Sequence, residues 1–209
     1  MLIHMAGTSV ERPLPEFIEN NLRGLVEVYE GARRHGTKRT LFAGSNHAMG
    51  TYPMEDQLAL DCAFRPDGFY GLSKAWSESL ARLYWDKHGI ETVNVRIVSC
   101  LPKPTEFRHL SMWFGHDDLF HLDDRVINVE SIGFAVVCGV SNNTRSYWVQ
   151  GGANDDAVRL AFKPQQNAED YAAEILAKGN LLDAVAQRYQ GGSFASIDLT
   201  PKDKRGKHS

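Results

Sequence analysis

The feature of this sequence that most constrains its fold is an alternation of short apolar runs with longer amphipathic segments. Residues 2–6, 39–43 and 92–99 are apolar or β-branched and predict buried strands. Between them, residues 15–35 and 71–88 carry apolar side chains at helical spacing, and Gly36 and Gly89 follow as helix stops. Residues 65–68, Arg-Pro-Asp-Gly, predict a turn before the second of these helices. Strands that alternate with helices predict an α/β fold in which a parallel sheet is covered by helices on both faces.

The elements after residue 102 are predicted to be smaller. Residues 110–114 and 117–126 have a helical pattern, residues 134–139 resemble a strand, and residues 168–187 include a helix. The last ten residues, 200–209, are rich in lysine and predict a disordered tail.

Composition excludes several classes of function. The 209 residues carry a formal net charge of -3 without a basic stripe, so we expect no nucleic-acid partner. No apolar run approaches the roughly 20 residues that span a bilayer, and the start lacks a signal-peptide pattern, so we expect a soluble, cytoplasmic protein with no membrane partner. Cys62, Cys100 and Cys138 form no CxxC pair, which predicts no disulfide framework and no metal site.

Polar residues follow three of the predicted strands. They are Gly7, Thr8 and Ser9 after the first, Ser45, Asn46 and His47 after the second, and Ser99 and Cys100 after the third. In a doubly wound sheet, ligands bind outside the carboxyl ends of the strands. We therefore expect a ligand site at this edge of the sheet.

Tyr70 and Lys74 lie four residues apart at the start of a predicted helix, so their side chains project from one face. An ammonium beside a phenol lowers the tyrosine pKa from about 10 and makes the phenolate a general base. A lone YxxxK pattern also fits an amphipathic surface. Ser45 favours the catalytic interpretation, because a hydroxyl at the end of the preceding strand can meet Tyr70 over one crevice.

Ser45, Tyr70 and Lys74, with the phrase YGLSK at residues 70–74, resemble the catalytic set of extended short-chain dehydrogenases/reductases, the NAD-dependent epimerase/dehydratase family. The resemblance implies a partial Rossmann-like, doubly wound parallel sheet and an NAD cofactor. Residues 1–100 would be the C-terminal part of the cofactor domain with the catalytic residues, and residues 101–199 a small region that binds and encloses the substrate. It further implies cofactor contacts at six positions: Ala6, Gly7, Asn21, Tyr70, Lys74 and Cys100.

Residues 2–118 resemble one branch of that family, the uronate dehydrogenases, which oxidise galacturonate or glucuronate to the aldaric acid lactone. The segments that carry this likeness are residues 7–13, 45–47, 65–71 and 80–87. The likeness implies substrate contacts at Ser9, Asn46, His47, Ser99 and Arg108. Arg108 would grip the carboxylate with two charge-assisted hydrogen bonds.

Each of these positions also has an ordinary structural interpretation. Ser9 and Ser99 could form turns, His47 could be a loop histidine, and Arg108 could be a surface charge. Two positions depart from the family pattern: Gly44 stands where a second serine is common, and Val98 stands where a glycine is common, so that its side chain could crowd the nicotinamide.

The glycine-rich loop that receives a dinucleotide pyrophosphate does not occur in this sequence. By comparison with the family, the chain begins at the fourth strand, so roughly 60 to 70 residues would precede it. We therefore expect weak or no NAD binding by the chain alone, whether it is truncated or a naturally shortened paralogue.

Two other functions remain open. The chain could be an NAD-dependent sugar-nucleotide epimerase or dehydratase, or it could be a non-catalytic, truncated paralogue that acts only by association. The resemblance implies a homo-oligomer that pairs through the helices at residues 15–35 and 71–88. Leu25, Tyr29, Trp76 and Leu83 are candidate contacts, although we expect most of them to pack in the core.

Overall fold

A computed structural model describes residues 1–148 and 156–199, and the predicted tail at 200–209 lies outside them. Its main sheet has four parallel strands in the order β1-β2-β3-β6. They are β1 (Leu2–His4), β2 (Arg39–Ser45), β3 (Glu91–Ile97) and β6 (Phe134–Gly139). The predicted α/β class and parallel sheet are confirmed.

Seven α-helices lie in the described residues. They are α1 (Leu14–Phe17), α2 (Gly24–Arg34), α3 (Phe69–His88), α4 (His109–Met112), α5 (His116–Asn128), α6 (Asp156–Arg159) and α7 (Ala172–Ala177). Three short 3-10 helices also lie in that part of the chain, at Asn46–Met49, Ala168–Tyr171 and Gly192–Ser196. None of the helices described has the length and apolar character needed to cross a membrane.

Three predicted elements are divided in the structure. The helix predicted at residues 15–35 contains a π-helical segment, Ile18–Arg23, between α1 and α2. The strand predicted at residues 92–99 stops at Ile97, because the chain leaves the main sheet and pairs as β4 (Ser99–Cys100) with β5 (Trp113–Phe114). The segment predicted as a helix at residues 110–114 therefore ends as a strand.

The sheet crosses the boundary predicted at residue 100. Strand β6 belongs to the later region, yet it pairs with β3 from Thr92 opposite Phe134 to Ile97 opposite Gly139. Its Ala135 and Val137 are fully buried in the main core. Residues 101–199 thus contribute to the central core as well as to the region beyond the strand ends, and the division by function stays a prediction.

Helix α3 is held at its start by a distant side chain. Its N-cap residue, Gly68, has no side chain that could accept hydrogen bonds from the first backbone amides of the helix. Instead the Glu11 carboxylate accepts hydrogen bonds from the backbone amides of Phe69 and Tyr70, at 2.8 and 3.1 Å. A carboxylate at a helix N-terminus also stabilises the helix dipole. The loop after β1 and the first turn of α3 are therefore fixed to each other. At the other end Gly89, with φ +65°, stops the helix as predicted.

A buried arginine fastens the amino-terminal ends of the strands. Arg39 donates from its guanidinium to the Glu91 carboxylate and to the carbonyls of Val126, Val129 and Glu130. Burial alone would raise the pKa of Glu91, but hydrogen bonds from Ser131, Gly133, Ile132 and Arg39 lower it to about 2. This cluster joins β2, β3 and the end of α5.

We expect Arg39→Met to lower the free energy of unfolding by about 3 kcal/mol, because three carbonyls lose their donor and the partly buried Glu91 carboxylate loses its cationic partner. Arg23→Met is the matched control, since Arg23 forms an exposed ion pair with Glu19. Its effect should stay within about 0.5 kcal/mol. Urea denaturation checks both values, and equal losses in the two variants would contradict this role of Arg39.

Candidate active site

A cleft of about 320 Å³ opens at the carboxyl ends of the parallel strands. The register places Ser45 at the end of β2 opposite Ile97 at the end of β3, so both strands stop at the same edge. All three residues predicted to be catalytic line the cleft, as do all five predicted to bind substrate: Ser9, Ser45, Asn46, His47, Tyr70, Lys74, Ser99 and Arg108.

Tyr70 and Ser45 lie close together in this cleft and are both buried. Burial raises the pKa of Tyr70, a hydrogen bond with the Ser45 side chain lowers it, and the nearby charge of Asp67 raises it again. The net pKa is raised, so the expected lowering is wrong for the ligand-free chain. Desolvation of the phenolate outweighs its stabilisation here.

Lys74 is anchored against the end of β2. Its Nζ donates to the Ala43 carbonyl at 2.6 Å and lies 5.6 Å from the centre of the Tyr70 ring. Burial lowers the pKa of Lys74 to about 8. An ammonium has three N–H donors, so the bond to Ala43 leaves two for a ligand in the cleft.

Asn21 supports the cleft from behind. Its position in the π-helical segment lets Nδ2 donate to the Thr8 carbonyl and to Ser73 Oγ, at 3.0 and 2.9 Å, while Oδ1 accepts from the Thr8 amide at 2.8 Å. A π-helical turn frequently marks a functional position. Here it joins the loop after β1 to helix α3 beside Lys74.

The predicted cofactor positions fall in three places. Ala6, Gly7, Tyr70 and Lys74 line the cleft, whereas Asn21 lies behind it. Gly7 has φ +132°, and a Cβ there would lie 3.1 Å from Asn21 Oδ1, so this turn favours glycine. Cys100 is half-buried in β4 and packs against the main core, outside the lining of the cleft.

Arg108 turns towards the cleft from the loop before α4. Its Nη2 donates to the Gln190 carbonyl at 3.0 Å, and Gly192, at φ +62°, lies so close that a Cβ would come within 2.7 Å of its Cζ. The guanidinium is therefore held in place by the C-terminal segment. The interpretation of Arg108 as an ordinary surface charge is not supported.

Sequence reasoning missed three residues that shape the site. Phe194 packs on the ring of His47, with centroids 4.2 Å apart, and the main chain of Gln190 holds Arg108. Asp67 was interpreted only as part of a turn, yet its Oδ2 lies 2.6 Å from His47 Nδ1. The adjacent glycines at residues 191–192 indicate that another part of the chain can approach this backbone closely, and this pattern could have identified the segment.

The buried amide of Asn46 retains an N–H donor for a ligand. Its side chain contacts that of Tyr147, but Nδ2, which carries two N–H groups, has no hydrogen bond of ordinary geometry in residues 1–148 and 156–199, although the residue is 4% exposed. An unpaired buried donor is costly unless a ligand satisfies it. In contrast, the part of the chain that the structure describes has no group of three or more His, Cys, Asp or Glu side chains that could hold a metal ion.

A strand-end serine with a tyrosine and lysine on the next helix is the arrangement of a short-chain dehydrogenase site. The NAD dependent epimerase/dehydratase family model matches residues 2–103. The uronate dehydrogenase of Agrobacterium fabrum is 42% identical over 196 residues, which cover 92% of this chain and 72% of that protein. The chain belongs to the NAD-dependent epimerase/dehydratase family, as predicted.

Two further comparisons bear on the site. A mutant uronate dehydrogenase of Agrobacterium tumefaciens, solved in complex with NAD, has a TM-score of 0.88 and 40% identity, covering 96% of this chain and 75% of that one. An NAD-dependent glucose-6-phosphate dehydrogenase of Haloferax volcanii is 34% identical and covers 83% of this chain and 71% of that protein. The relatives therefore include dehydrogenases of two kinds of anionic sugar.

We expect the burial of Lys74 to make stability depend on pH. Its folded pKa of about 8 lies below the ordinary 10.5, so between these values the unfolded chain binds more protons and stability rises with pH. The full increment is at most about 3 kcal/mol. Because Tyr70, with its raised pKa, contributes in the opposite direction at high pH, the quantity to compare is the difference between the wild type and Lys74→Met. In urea denaturation between pH 7.5 and 10.5, the stability of the wild type relative to Lys74→Met should rise with pH. Lys87→Met, an exposed position on the same helix, is the control. The same pH slope in Lys74→Met and in the wild type would contradict the assignment.

Proposed function

We propose that this cleft serves the NAD-dependent oxidation of a uronate, galacturonate or glucuronate, at C1 to the aldarolactone. The observation that carries the proposal is that Arg108 shares one cleft with Ser45, Tyr70 and Lys74. A guanidinium recognises the planar carboxylate that distinguishes a uronate from a neutral sugar. The names of the relatives support the same substrate class.

The residues present fit the nicotinamide side of the cofactor. Gly7 brings the main chain to the cleft without a side chain, and Lys74 has two N–H donors free for ribose hydroxyls. Asn21, outside the lining of the cleft, would support Lys74. Val98 lines the cleft, on the side where we predict that its side chain crowds the nicotinamide. The contribution of Cys100 stays a prediction. Bound NAD supplies the acceptor for the hydride that leaves C1.

Tyr70 acts as the general base in this proposal. Its phenolate takes the proton of the C1 hydroxyl while the C1–H bond breaks, so the cyclic hemiacetal becomes a lactone carbonyl. Ser45 donates a hydrogen bond to the C1 oxygen. Since burial raises the pKa of Tyr70, the ionised form needs the positive charge of Lys74. The one O–H donor of Ser45 is then used on the C1 oxygen.

The remaining polar groups orient the sugar. Arg108 is fixed by Gln190 through Nη2, which leaves its other N–H groups for the carboxylate. The unpaired Asn46 Nδ2 is suited to a hydroxyl oxygen of the sugar. His47, Ser9 and Ser99 lie around the same cavity and would contact the other hydroxyls.

We expect the protein to reduce NAD with galacturonate or glucuronate, and Tyr70→Phe to lower kcat by a factor of roughly 10² to 10⁴. Arg108→Met should lower kcat/KM for the uronate about 100-fold or more and change turnover of the neutral sugar galactose little, because only the uronate carries the charge. NADH absorbance measures both effects.

Three controls make this assay decisive. Arg108→Lys keeps the charge without the two-pronged geometry and should recover little of the loss. Preference for glucose 6-phosphate would move the proposal to a phosphorylated sugar. Turnover of UDP-sugars without uronate oxidation would favour the epimerase/dehydratase alternative, and failure of every sugar to react would favour the paralogue that acts only by association.

The proposed homo-oligomer rests on a stripe of apolar side chains along α3. Phe69, Leu72 and Leu83 are 44%, 50% and 45% exposed, and the partly buried Trp76 lies on the same stripe at helical spacing. Exposed apolar stripes of this kind mark interaction sites. Leu25 and Tyr29 are 1% exposed and pack inside the core, which is the use expected for most of the four candidate contacts. A cytoplasmic location stays a prediction.

We expect the chain to elute as a dimer or larger species and the double variant Leu72→Lys/Leu83→Lys to be monomeric, because two charges would be buried in the shared surface. Light scattering coupled to size exclusion measures the mass. Leu181→Lys places the same substitution at a side chain that is 91% exposed and should leave the mass unchanged. A monomeric wild type would overturn this proposal.

A further inference from the structure

Asp67 carries a buried carboxylate that the proposed reaction does not use. Its side chain is 0% exposed, and Oδ2 lies 2.6 Å from Nδ1 of His47 in the cleft. Its other oxygen, Oδ1, has no hydrogen-bond partner among residues 1–148 and 156–199. Burying a carboxylate costs several kcal/mol unless its partners compensate. The bond to His47 is therefore the interaction that accounts for this residue.

A second buried aspartate shows what a structural role looks like in the same chain. Asp118 is 2% exposed, and both of its oxygens accept hydrogen bonds from backbone amides, of Gln165 at 2.7 Å and Gln166 at 3.0 Å. That carboxylate fixes a loop. The Asp67 carboxylate has no backbone donor in the described residues and contacts a cleft histidine instead.

The surroundings hold the Asp67 carboxylate in one position. A Cβ at Gly50 or Gly191 would lie 2.0 or 1.9 Å from Oδ2, and one at Gly71 would lie 2.9 Å from Oδ1. The Gly191 amide also donates to the Gly50 carbonyl at 2.8 Å, which joins two of these glycines to each other. Three stretches of glycine backbone thus pack around one side chain, and a Cβ at any of them would collide with the carboxylate in its contact with His47.

The histidine ring is restrained on its other sides. Its centroid lies 4.2 Å from that of Phe194 and 5.4 Å from that of Tyr70. A carboxylate at Nδ1 keeps the proton on that nitrogen and leaves Nε2 as a hydrogen-bond acceptor. A ring fixed in this way can accept a hydrogen bond from a hydroxyl of a ligand.

We propose that Asp67 is a positioning residue that fixes His47 as the Nδ1–H tautomer, so that Nε2 accepts a hydrogen bond from a hydroxyl of the sugar substrate. The substrate part of this inference rests on the proposed function. The tautomer and orientation of His47 do not, because the groups that determine them belong to the protein itself.

Long-range ¹H–¹⁵N correlation spectra of the histidine rings test the tautomer without any ligand, with the His47 signal assigned by its loss in His47→Ala. We expect the Nδ1–H form in the wild type. In Asp67→Asn the amide can donate to Nδ1 instead, so the Nε2–H form should grow. An Nε2–H tautomer in the wild type would overturn the proposal even if Asp67→Asn failed to fold.

Steady-state kinetics then test the effect on substrate. Asp67→Asn should raise KM for the uronate roughly tenfold with a smaller change in kcat, the size expected for one hydrogen bond. In a His47→Ala background the same substitution should add little, because Asp67 acts through His47. Additive effects on KM in the two backgrounds would contradict the proposal.

Asp118→Asn is the matched control, since it also neutralises a buried aspartate. We expect it to lower the melting temperature while leaving the His47 tautomer and KM unchanged. If the wild type oxidised no uronate, the proposed function would fail, and the spectra of the ligand-free protein would still decide the role of Asp67.

Discussion

Parallel pairing of β2 with β3 is the constraint on which the rest of this site depends. Seven residue pairs, from Arg39 opposite Glu91 to Ser45 opposite Ile97, bring both strands to an end at one edge of the sheet. A parallel pair needs a crossover, and here helix α3 supplies it. The first turns of α3, which carry Tyr70 and Lys74, lie at that same edge. The bond from Lys74 to Ala43 then fixes the helix to the strand end.

The electrostatics of the cleft follow from its burial. Desolvation raises the pKa of Tyr70 and lowers that of Lys74, so burial makes the charged form of each group less favourable than it is in water. A substrate carboxylate at Arg108 and the developing charge at C1 would find donors already in position, which is the condition for effective electrostatic catalysis. The pair of Asp67 with His47 is a further buried ionisable pair beside this cleft.

The parts of this fold that could be predicted from the sequence are those governed by local periodicity. Residues 134–139 form a strand with the predicted bounds, and α3 begins two residues before the predicted helix and ends with it at His88. The π-helical turn around Asn21 and the break after Ile97 could not be predicted, because each depends on a tertiary contact. Asn21 bonds to Thr8, and the chain after Val98 pairs with β5.

The residues of the site also fall into two groups, those that could be predicted from the sequence and those that could not. Residue types with distinctive chemistry at strand ends and on the next helix, such as Ser45, Tyr70 and Lys74, were found because the α/β topology brings them together. Gln190 and Phe194 were missed because they reach the cleft from far along the chain. Asp67 was missed because a turn sequence gives an aspartate a sufficient local explanation. Its burial against three glycines is visible only in the folded chain.

The most direct test of the account is the fate of the hydrogen at C1 of the substrate. With galacturonate deuterated at C1, the account predicts that the deuterium moves to the cofactor, so the NADH formed carries one deuterium for each lactone and the reaction shows a primary isotope effect. Mass spectrometry of the NADH measures the transfer. Unlabelled NADH, or deuterium retained in the sugar after turnover, would contradict the claim that this cleft oxidises C1.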